Sequence, residues 1–181
     1  MREGELKRIV VVANSVMAGD ASGRHVCDVV HALLQGGYSV QVCYDGVFTS
    51  RDNTVMKLSR QIQPGDPIPD SDVMIVEYSG WYALADRIRS SPAKSVFWYH
   101  GVTPPDLWGV DTDRDFLERS VFGCRLARYA DLIVADSPFG AAELARHAGI
   151  PAQGLRIVPI SVDRDAFERK PPEASLAAVR K

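Results

Sequence analysis

The chain has 181 residues, 46% of them hydrophobic, which is enough for one α/β domain with its own core. Its net charge of −2 lacks the basic character of a nucleic-acid-binding protein, so we expect no nucleic-acid partner. The three cysteines form no CxxC pair and no apolar run approaches about 18 residues, which argues against a disulfide framework, a zinc site and a transmembrane helix.

The first elements follow a strand–helix–strand order. Residues 9–13 read IVVVA, a β-branched run typical of a strand buried on both faces of a parallel sheet. A loop over 14–22 leads into a helix predicted from 23 to 35, with Ser22 as its N-cap. Gly36 ends that helix, as glycine commonly does at helix C-termini.

The same alternation continues to the end of the chain. Residues 45–70 contain three prolines and are interpreted as a loop, in which 54–58 is either a short strand or part of a helix. Further helices are predicted over 81–89, 114–129 and 138–147, the last with Ser137 as N-cap, Pro138 in first position and a stop at Gly149. Further strands are predicted at 38–44, 72–78, 95–99, 131–135 and 155–159. From the polar N-terminus we expect no signal peptide.

This pattern predicts an α/β fold: a Rossmann-like, doubly wound, mostly parallel sheet with helices on both faces. In such sheets ligands bind beyond the carboxyl ends of the strands, where the strand order reverses. The segments to examine are therefore 14–22, 77–80, 100–103 and 136–137. Gly19 and Gly23 are spaced G-x-x-x-G, which misses the dinucleotide fingerprint, and no P-loop motif is present, so neither NAD nor ATP binding is favoured.

Three segments of the second half resemble family-4 (group 1) glycosyltransferases. Residues 98–108 (WYHGVTPPDLW) resemble the family's YHN-[IV]-T-P-P segment, and residues 130–144 (ADLIVADSPFGAAEL) are similar to its ADL-x-x-ADS stretch. Residues 157–163 (IVPISVD) look like the V-x-P-x-x-VD run that ends the first domain. Weaker landmarks at 19–21 (GDA) and 72–79 (DVMIVEYS) extend the resemblance over nearly the whole chain in the family's order.

The resemblance implies the GT-B architecture, in which two Rossmann-like domains face each other across a cleft. By this resemblance residues 1–165 form the N-terminal, acceptor-binding domain and 166–181 the interdomain linker or tail. The C-terminal donor domain, with the family's paired glutamates, would lie outside this chain. The whole protein is expected to transfer a sugar from a nucleotide-sugar to a hydroxyl acceptor with retention, in polysaccharide or glycoconjugate synthesis. No metal or other cofactor is implied, and this chain alone is expected to be inactive.

The candidate site residues follow from strand ends and from the resemblance together. His100 is expected to position the acceptor or the transferring sugar, and the residues assigned to the acceptor are Asp20, Glu77, Tyr78 and Thr103. The resemblance places Gly19 in a loop whose backbone approaches the donor phosphates. Glu77 stands where relatives often have histidine, and Gly101 where they often have asparagine, which leaves the acceptor's identity open. For His100, Asp20 and Glu77, the residues alone also allow structural roles: a buried histidine, a helix cap and a surface carboxylate.

Other readings of the chain stay open at this point. A stand-alone glycan-binding module, a split-enzyme component and half of another GT-B enzyme such as a sugar-nucleotide epimerase are also compatible with these residues. The acceptor can be a glycan, a lipid-linked glycan or a small metabolite. Arginines on the predicted helix 114–129 favour contact with an anionic membrane, whereas the acidic residues among them favour a solvated mixed-charge face. We expect a cytoplasmic protein. If the arginines contact an anionic membrane, we expect it at the inner face of that membrane.

Overall fold

A computed structural model describes residues 7–108 and 111–162. Seven strands form one sheet in the order β3-β2-β1-β4-β5-β6-β7, and every neighbouring pair is parallel. The strands are β1 (Arg8–Ala13), β2 (Ser39–Tyr44), β3 (Ser59–Gln61), β4 (Val73–Tyr78), β5 (Lys94–Tyr99), β6 (Leu132–Ala135) and β7 (Arg156–Ile157). From β1 the chain builds the sheet outward to β3, and it then returns to the other side of β1 for β4 to β7. This order confirms the predicted doubly wound fold.

Helical segments connect the strands of this sheet. The α-helices in the described part of the chain are α1 (Ala21–Gln35), α2 (Asn53–Leu58), α3 (Arg114–Gly123) and α4 (Pro138–Ala148). The 3-10 helices there are Ala83–Arg89, Pro105–Leu107, Asp111–Asp113, Cys124–Tyr129 and Ala152–Gly154. No helix among residues 7–108 and 111–162 is both long enough and apolar enough to cross a bilayer.

Alternating side chains of the strands supply two cores, one on each face of the sheet. In β1, Val10 and Val12 belong to one core, which also contains side chains of α4 and of the 3-10 helices 83–89 and 124–129. Val11 and Ala13 belong to the core on the other face, which also contains side chains of α1 and α2. The helices therefore cover both faces, as predicted. This two-sided burial explains why the central strands are continuous apolar runs.

The structure confirms both predicted ends of α4 but not the predicted start of α1. Ser137 caps α4 by accepting a hydrogen bond from the Gly140 amide at 3.0 Å, and Gly149 ends the helix with φ of +63°, as predicted. Helix α1 begins at Ala21, before the predicted start, and the prediction that Ser22 caps it is wrong. The cap is Asp20, whose carboxylate accepts a hydrogen bond from the Gly23 amide at 3.1 Å.

Short and irregular elements account for the other differences from the sequence prediction. Residues 54–58 belong to α2, and the three-residue edge strand β3 follows, which the sequence did not predict because SRQ has no apolar alternation. The predicted helix 81–89 is a 3-10 helix at 83–89, and the predicted helix 114–129 changes from α to 3-10 at Cys124. The expected domain boundary at 165–166 and the final Asp163 of the predicted VD run lie outside the described residues.

Candidate functional site

The carboxyl edge of the sheet has its reversal point between β1 and β4. The loop that follows β1 packs tightly against its neighbours there: the Val16 amide donates to the Val47 carbonyl at 2.9 Å, and the Gly46 amide donates to the Asn14 carbonyl at 2.8 Å. Gly23 allows the loop to lie on the first turn of α1, because a Cβ at this position would lie 2.5 Å from the Met17 carbonyl oxygen. The loop carrying Gly19 is therefore held close to the start of α1.

A buried histidine joins the ends of three adjacent strands at this edge. His100 directly follows β5, and its Nε2 lies 2.6 Å from Oε2 of Glu77 at the end of β4. Its Nδ1 lies 2.8 Å from Oδ2 of Asp136, which directly follows β6. The His100 side chain is 3% exposed. Since parallel strands end at the same edge, their terminal side chains are the ones that meet. The sequence placed both His100 and Glu77 at this edge but predicted no contact between them.

Helix α1 and the indole of Trp98 complete this cluster. The ring of His25 lies edge-on to Trp98, with centroids 4.5 Å apart, and 4.8 Å from the ring of His100. Its Nε2 is 3.7 Å from Oε2 of Glu77. The Trp98 indole donates to Oδ1 of Asp136 at 2.9 Å, so this carboxylate is held by two neighbours at once. We call His25, Glu77, Trp98, His100 and Asp136 the histidine cluster.

The two histidines of the cluster have opposite electrostatic surroundings. Burial disfavours the His100 imidazolium, but hydrogen bonds to Asp136 and Glu77 outweigh it and raise the pKa of His100 to about 9. Burial lowers the pKa of His25, and the nearby charge of Glu77 only partly opposes this. The surroundings therefore favour the charged form of His100 and the neutral form of His25.

Some polar atoms of the cluster have no hydrogen-bond partner among the described residues. They are Nδ1 and Nε2 of His25 and Oε1 of Glu77, all buried. His25 is 3% exposed and Glu77 is 4% exposed. Such buried groups are unusual in folded proteins, because each loses its hydrogen bonds to water without replacement. The unpartnered atoms of His25 and Glu77 are therefore available to bind a ligand.

The structure brings some of the predicted site residues together and separates others. Glu77 and His100 are in direct contact. Tyr78 points to the opposite face of the sheet, where it is fully buried and its hydroxyl donates to the Ser120 carbonyl at 2.8 Å. Neighbouring residues of a strand face opposite ways, so Glu77 and Tyr78 do not share a site. Tyr78 is a core residue, and its side chain does not reach the crevice.

The remaining predicted residues lie in loops at the carboxyl edge. Gly19 is exposed, with φ of +85°, and it immediately precedes the α1 cap Asp20. Thr103 is exposed in the loop after His100, where Gly101 has φ of +92°. No hydrogen bond in residues 7–108 and 111–162 connects Thr103 to the histidine cluster. These residues form an accessible rim, whereas His100 and Glu77 form a buried floor.

Sequence reasoning did not assign His25, Trp98 or Asp136 to the site. Asp136 had a signal, because it directly follows a predicted strand. His25 had a weaker one, because it lies four residues before Val29 and so shares the apolar side of the predicted helix. Trp98 lies inside a strand, and nothing in its neighbours distinguishes it from a core residue.

The chain matches a sequence model of a glycosyltransferase family, and its fold is similar to solved glycosyltransferases. The model of Glycosyltransferase Family 4 matches residues 54–166, more than half of the chain. No curated protein sequence matches the chain significantly. An α-glucosyltransferase solved in complex with UDP and a 13-mer DNA aligns with a TM-score of 0.61 and 15% identity, covering 88% of this chain and 44% of that one.

Two further solved structures have the same fold. A glycosyltransferase from Rickettsia africae aligns with a TM-score of 0.58 and 13% identity, over 96% of this chain and 49% of that chain. WaaG, a glycosyltransferase involved in lipopolysaccharide biosynthesis, aligns with a TM-score of 0.56 and 11% identity, over 93% of this chain and 50% of that chain. The chain thus spans about half the length of the solved proteins it matches.

Proposed function

The chain belongs to glycosyltransferase family 4, and from this membership we propose that it is the acceptor-binding domain of a retaining glycosyltransferase. The whole enzyme transfers a sugar from a nucleotide-sugar to a hydroxyl of its acceptor. Three observations support the proposal: the family match, the fold shared with two-fold longer glycosyltransferases, and the UDP bound to one of those neighbours. A donor domain outside residues 1–181 then binds the nucleotide, and this chain alone does not turn over.

The observation that carries the proposal is the histidine cluster at the reversal point of the sheet. His100 links the ends of β4 and β5 to Asp136 after β6, so hydrogen bonds connect three strand ends. Both ring nitrogens are already bonded to carboxylates. We therefore assign His100 a positioning role, which holds the loop carrying Thr103 and fixes the Asp136 carboxylate. Holding reacting groups in place is a large part of what an acceptor domain contributes to catalysis.

The rim above the cluster supplies the groups that meet the acceptor. The Asp136 side chain is 17% exposed, so it can accept a hydrogen bond from an acceptor hydroxyl while His100 and Trp98 hold it. Thr103 offers a hydroxyl, and the loop at Gly19 and Asp20 offers backbone amides and a carboxylate. Retaining transfer also needs the leaving phosphate stabilised, and we assign this to helix ends and basic side chains of the donor domain.

The class of acceptor is open to nucleic acid as well as to glycans, lipid-linked glycans and small metabolites. The expectation of no nucleic-acid partner rested on the net charge of −2, and an α-glucosyltransferase of the same fold is seen with DNA. A polysaccharide or glycoconjugate role, a cytoplasmic site of action and contact with a membrane surface stay predictions from the sequence.

A transfer assay on the protein encoded by the whole gene tests the proposal. The protein is incubated with UDP-glucose, UDP-galactose, UDP-N-acetylglucosamine or GDP-mannose, each labelled in the sugar, together with fractionated host extract. We expect nucleotide release from one donor, with label entering a single acceptor fraction. The isolated 181-residue chain is the control and should release none. Turnover by the isolated chain, or no nucleotide release by the folded whole protein with any donor, contradicts the proposal.

A further inference from the structure

The histidine cluster contains a set of side chains that fits a metal ion. One nitrogen each of His25 and His100 and one carboxylate oxygen of Glu77 lie within 4.8 Å of one another. They come from three separate elements: α1, the residue after β5, and β4. Two imidazoles with one carboxylate are a set that binds zinc and similar divalent ions, with a solvent molecule in the fourth position.

The unpartnered atoms of the cluster are independent support for an ion. Both ring nitrogens of His25 and Oε1 of Glu77 are buried with no hydrogen-bond partner in the described part of the chain. Nε2 of His25 faces the Glu77 carboxylate at 3.7 Å. An ion between these groups would bind a His25 nitrogen and the Glu77 carboxylate together. Binding of an ion would explain why the polar ring of His25 is buried, whereas packing against Trp98 alone leaves both ring nitrogens without a partner.

Asp136 stands where a metal-binding histidine is usually supported. Ligand histidines commonly donate their second ring N–H to a carboxylate, which fixes the tautomer and the ring orientation. Nδ1 of His100 lies 2.8 Å from Oδ2 of Asp136, so its Nε2 is directed towards Glu77 and His25. Asp136 is itself held by the Trp98 indole. The surrounding hydrogen bonds thus present Nε2 of His100 to the site.

The charges of the cluster favour a divalent cation. Glu77 and Asp136 are two carboxylates whose ion-pair partners among the described residues are all histidines, with no lysine or arginine. An ion that binds Nε2 of His100 displaces to solvent the proton that His100 shares with Glu77, and its two positive charges then balance the two carboxylates. Buried carboxylates are stable only when paired or bound to a metal, and this balance matters most for Glu77, whose side chain is 3% exposed.

From these contacts we propose that His25, Glu77 and His100 bind one divalent transition-metal ion of the zinc or cobalt class, with Asp136 orienting His100. The ion ties α1 to the ends of β4 and β5 beneath the crevice. Two ligands of one tetrahedral ion are about 3.3 Å apart. The observed separations from Oε2 of Glu77 are 2.6 Å to His100 and 3.7 Å to His25, and all three ligand atoms lie within 4.8 Å of one another. Shifts of the three side chains on the order of 1 Å would therefore form the site.

Metal binding by the 181-residue chain tests the proposal without any assay of transfer. The chain is stripped with EDTA, dialysed, and titrated with ZnCl₂ by calorimetry and with CoCl₂ by visible absorption. We expect one ion per chain and the intense d–d bands of four-coordinate cobalt. A wild-type chain that binds neither ion stoichiometrically, or that gives only the weak spectrum of hydrated cobalt, overturns the proposal. This measurement needs no variant and so does not depend on how variants fold.

Variants then locate the ion. His25→Ala should weaken Zn²⁺ binding by more than about 100-fold, and Asp136→Asn by about 10- to 100-fold, as for other supporting carboxylates. His31→Ala is the matched control: His31 lies on the same helix but pairs with Asp52 at 2.7 Å, outside the cluster, and its loss should leave binding unchanged. Circular dichroism confirms the fold of each variant. Binding that survives His25→Ala or is lost in His31→Ala contradicts the site.

Discussion

Replacing Gly23 by alanine should displace the loop after β1 and destabilise the domain. A Cβ at Gly23 would lie 2.5 Å from the carbonyl oxygen and 2.6 Å from the amide nitrogen of Met17. Both contacts are with backbone, so no side chain can rotate away to relieve them. The loop must move outward by about 0.9 Å to restore ordinary contact. That movement also strains the bond from the Gly23 amide to the cap Asp20.

The expected cost follows from three terms. Overpacking of this kind costs about 2 kcal/mol, and loss of a helix cap costs about 1 kcal/mol. Alanine has a better helix propensity than glycine, which recovers about 1 kcal/mol at a helical position. The net loss in free energy of unfolding for Gly23→Ala is therefore about 2 kcal/mol.

Urea unfolding of the 181-residue chain measures this difference. Gly154→Ala is the control, since a Cβ there meets no atom within 4 Å, and its free energy of unfolding should change by less than about 0.5 kcal/mol. In the whole enzyme, Gly23→Ala should also reduce transfer, because the loop carrying Gly19 is displaced. If Gly23→Ala is as stable as wild type or more stable, the loop does not pack on α1 as described and the reasoning is wrong.

Three further predictions address local features of the fold. Ser137→Ala should cost about 1 kcal/mol in urea unfolding, because it removes the α4 cap, and Ser137→Asn should restore most of it; equal stability of all three contradicts the cap. Burial raises the pKa of Asp45, although the hydrogen bond from the Leu84 amide opposes this. Above pH 3.8 the unfolded chain therefore loses the Asp45 proton before the folded chain does, and wild type should lose stability relative to Asp45→Asn as pH rises. Melting curves in which the stability difference changes with the opposite slope would refute this. The native chain should react slowly with a thiol reagent at pH 8, because burial raises the pKa of every cysteine, to about 11 for Cys43 and about 12 for Cys124; rapid labelling before unfolding would contradict this.

The sheet could be predicted from the sequence because its strands are buried on both faces. Short apolar runs such as 9–13 and 131–135, when they alternate with predicted helices, indicate buried parallel strands. The rules for connections between such strands then limit the order of the strands in the sheet. Edge strand β3 could not be predicted, since its three residues need only backbone pairing with β2. The start of α1 was misread because Asp20 and Ser22 are both good caps, and only the path of the loop after β1 decides between them.

The site was only partly predictable, for a related reason. Strand ends are visible in sequence, so His100 and Glu77 could be placed at the edge where the structure brings them into contact, and their roles stay predictions. Side chains alternate along β4, so Tyr78 faces away from Glu77, and the prediction that both residues bind the acceptor did not take account of this alternation. The contribution of His25 depends on how α1 crosses the sheet, and this depends on packing between residues far apart in sequence.

The most direct test of the proposed function is the transfer activity of His100→Ala in the protein encoded by the whole gene. Loss of His100 releases Glu77 and Asp136 and frees three strand ends, a misplacement that should lower kcat/KM by about 100-fold or more. His31→Ala, on α1 but outside the cluster, should stay within about twofold of wild type. A folded His100→Ala enzyme with wild-type kcat/KM would show that the cluster does not organise the acceptor site.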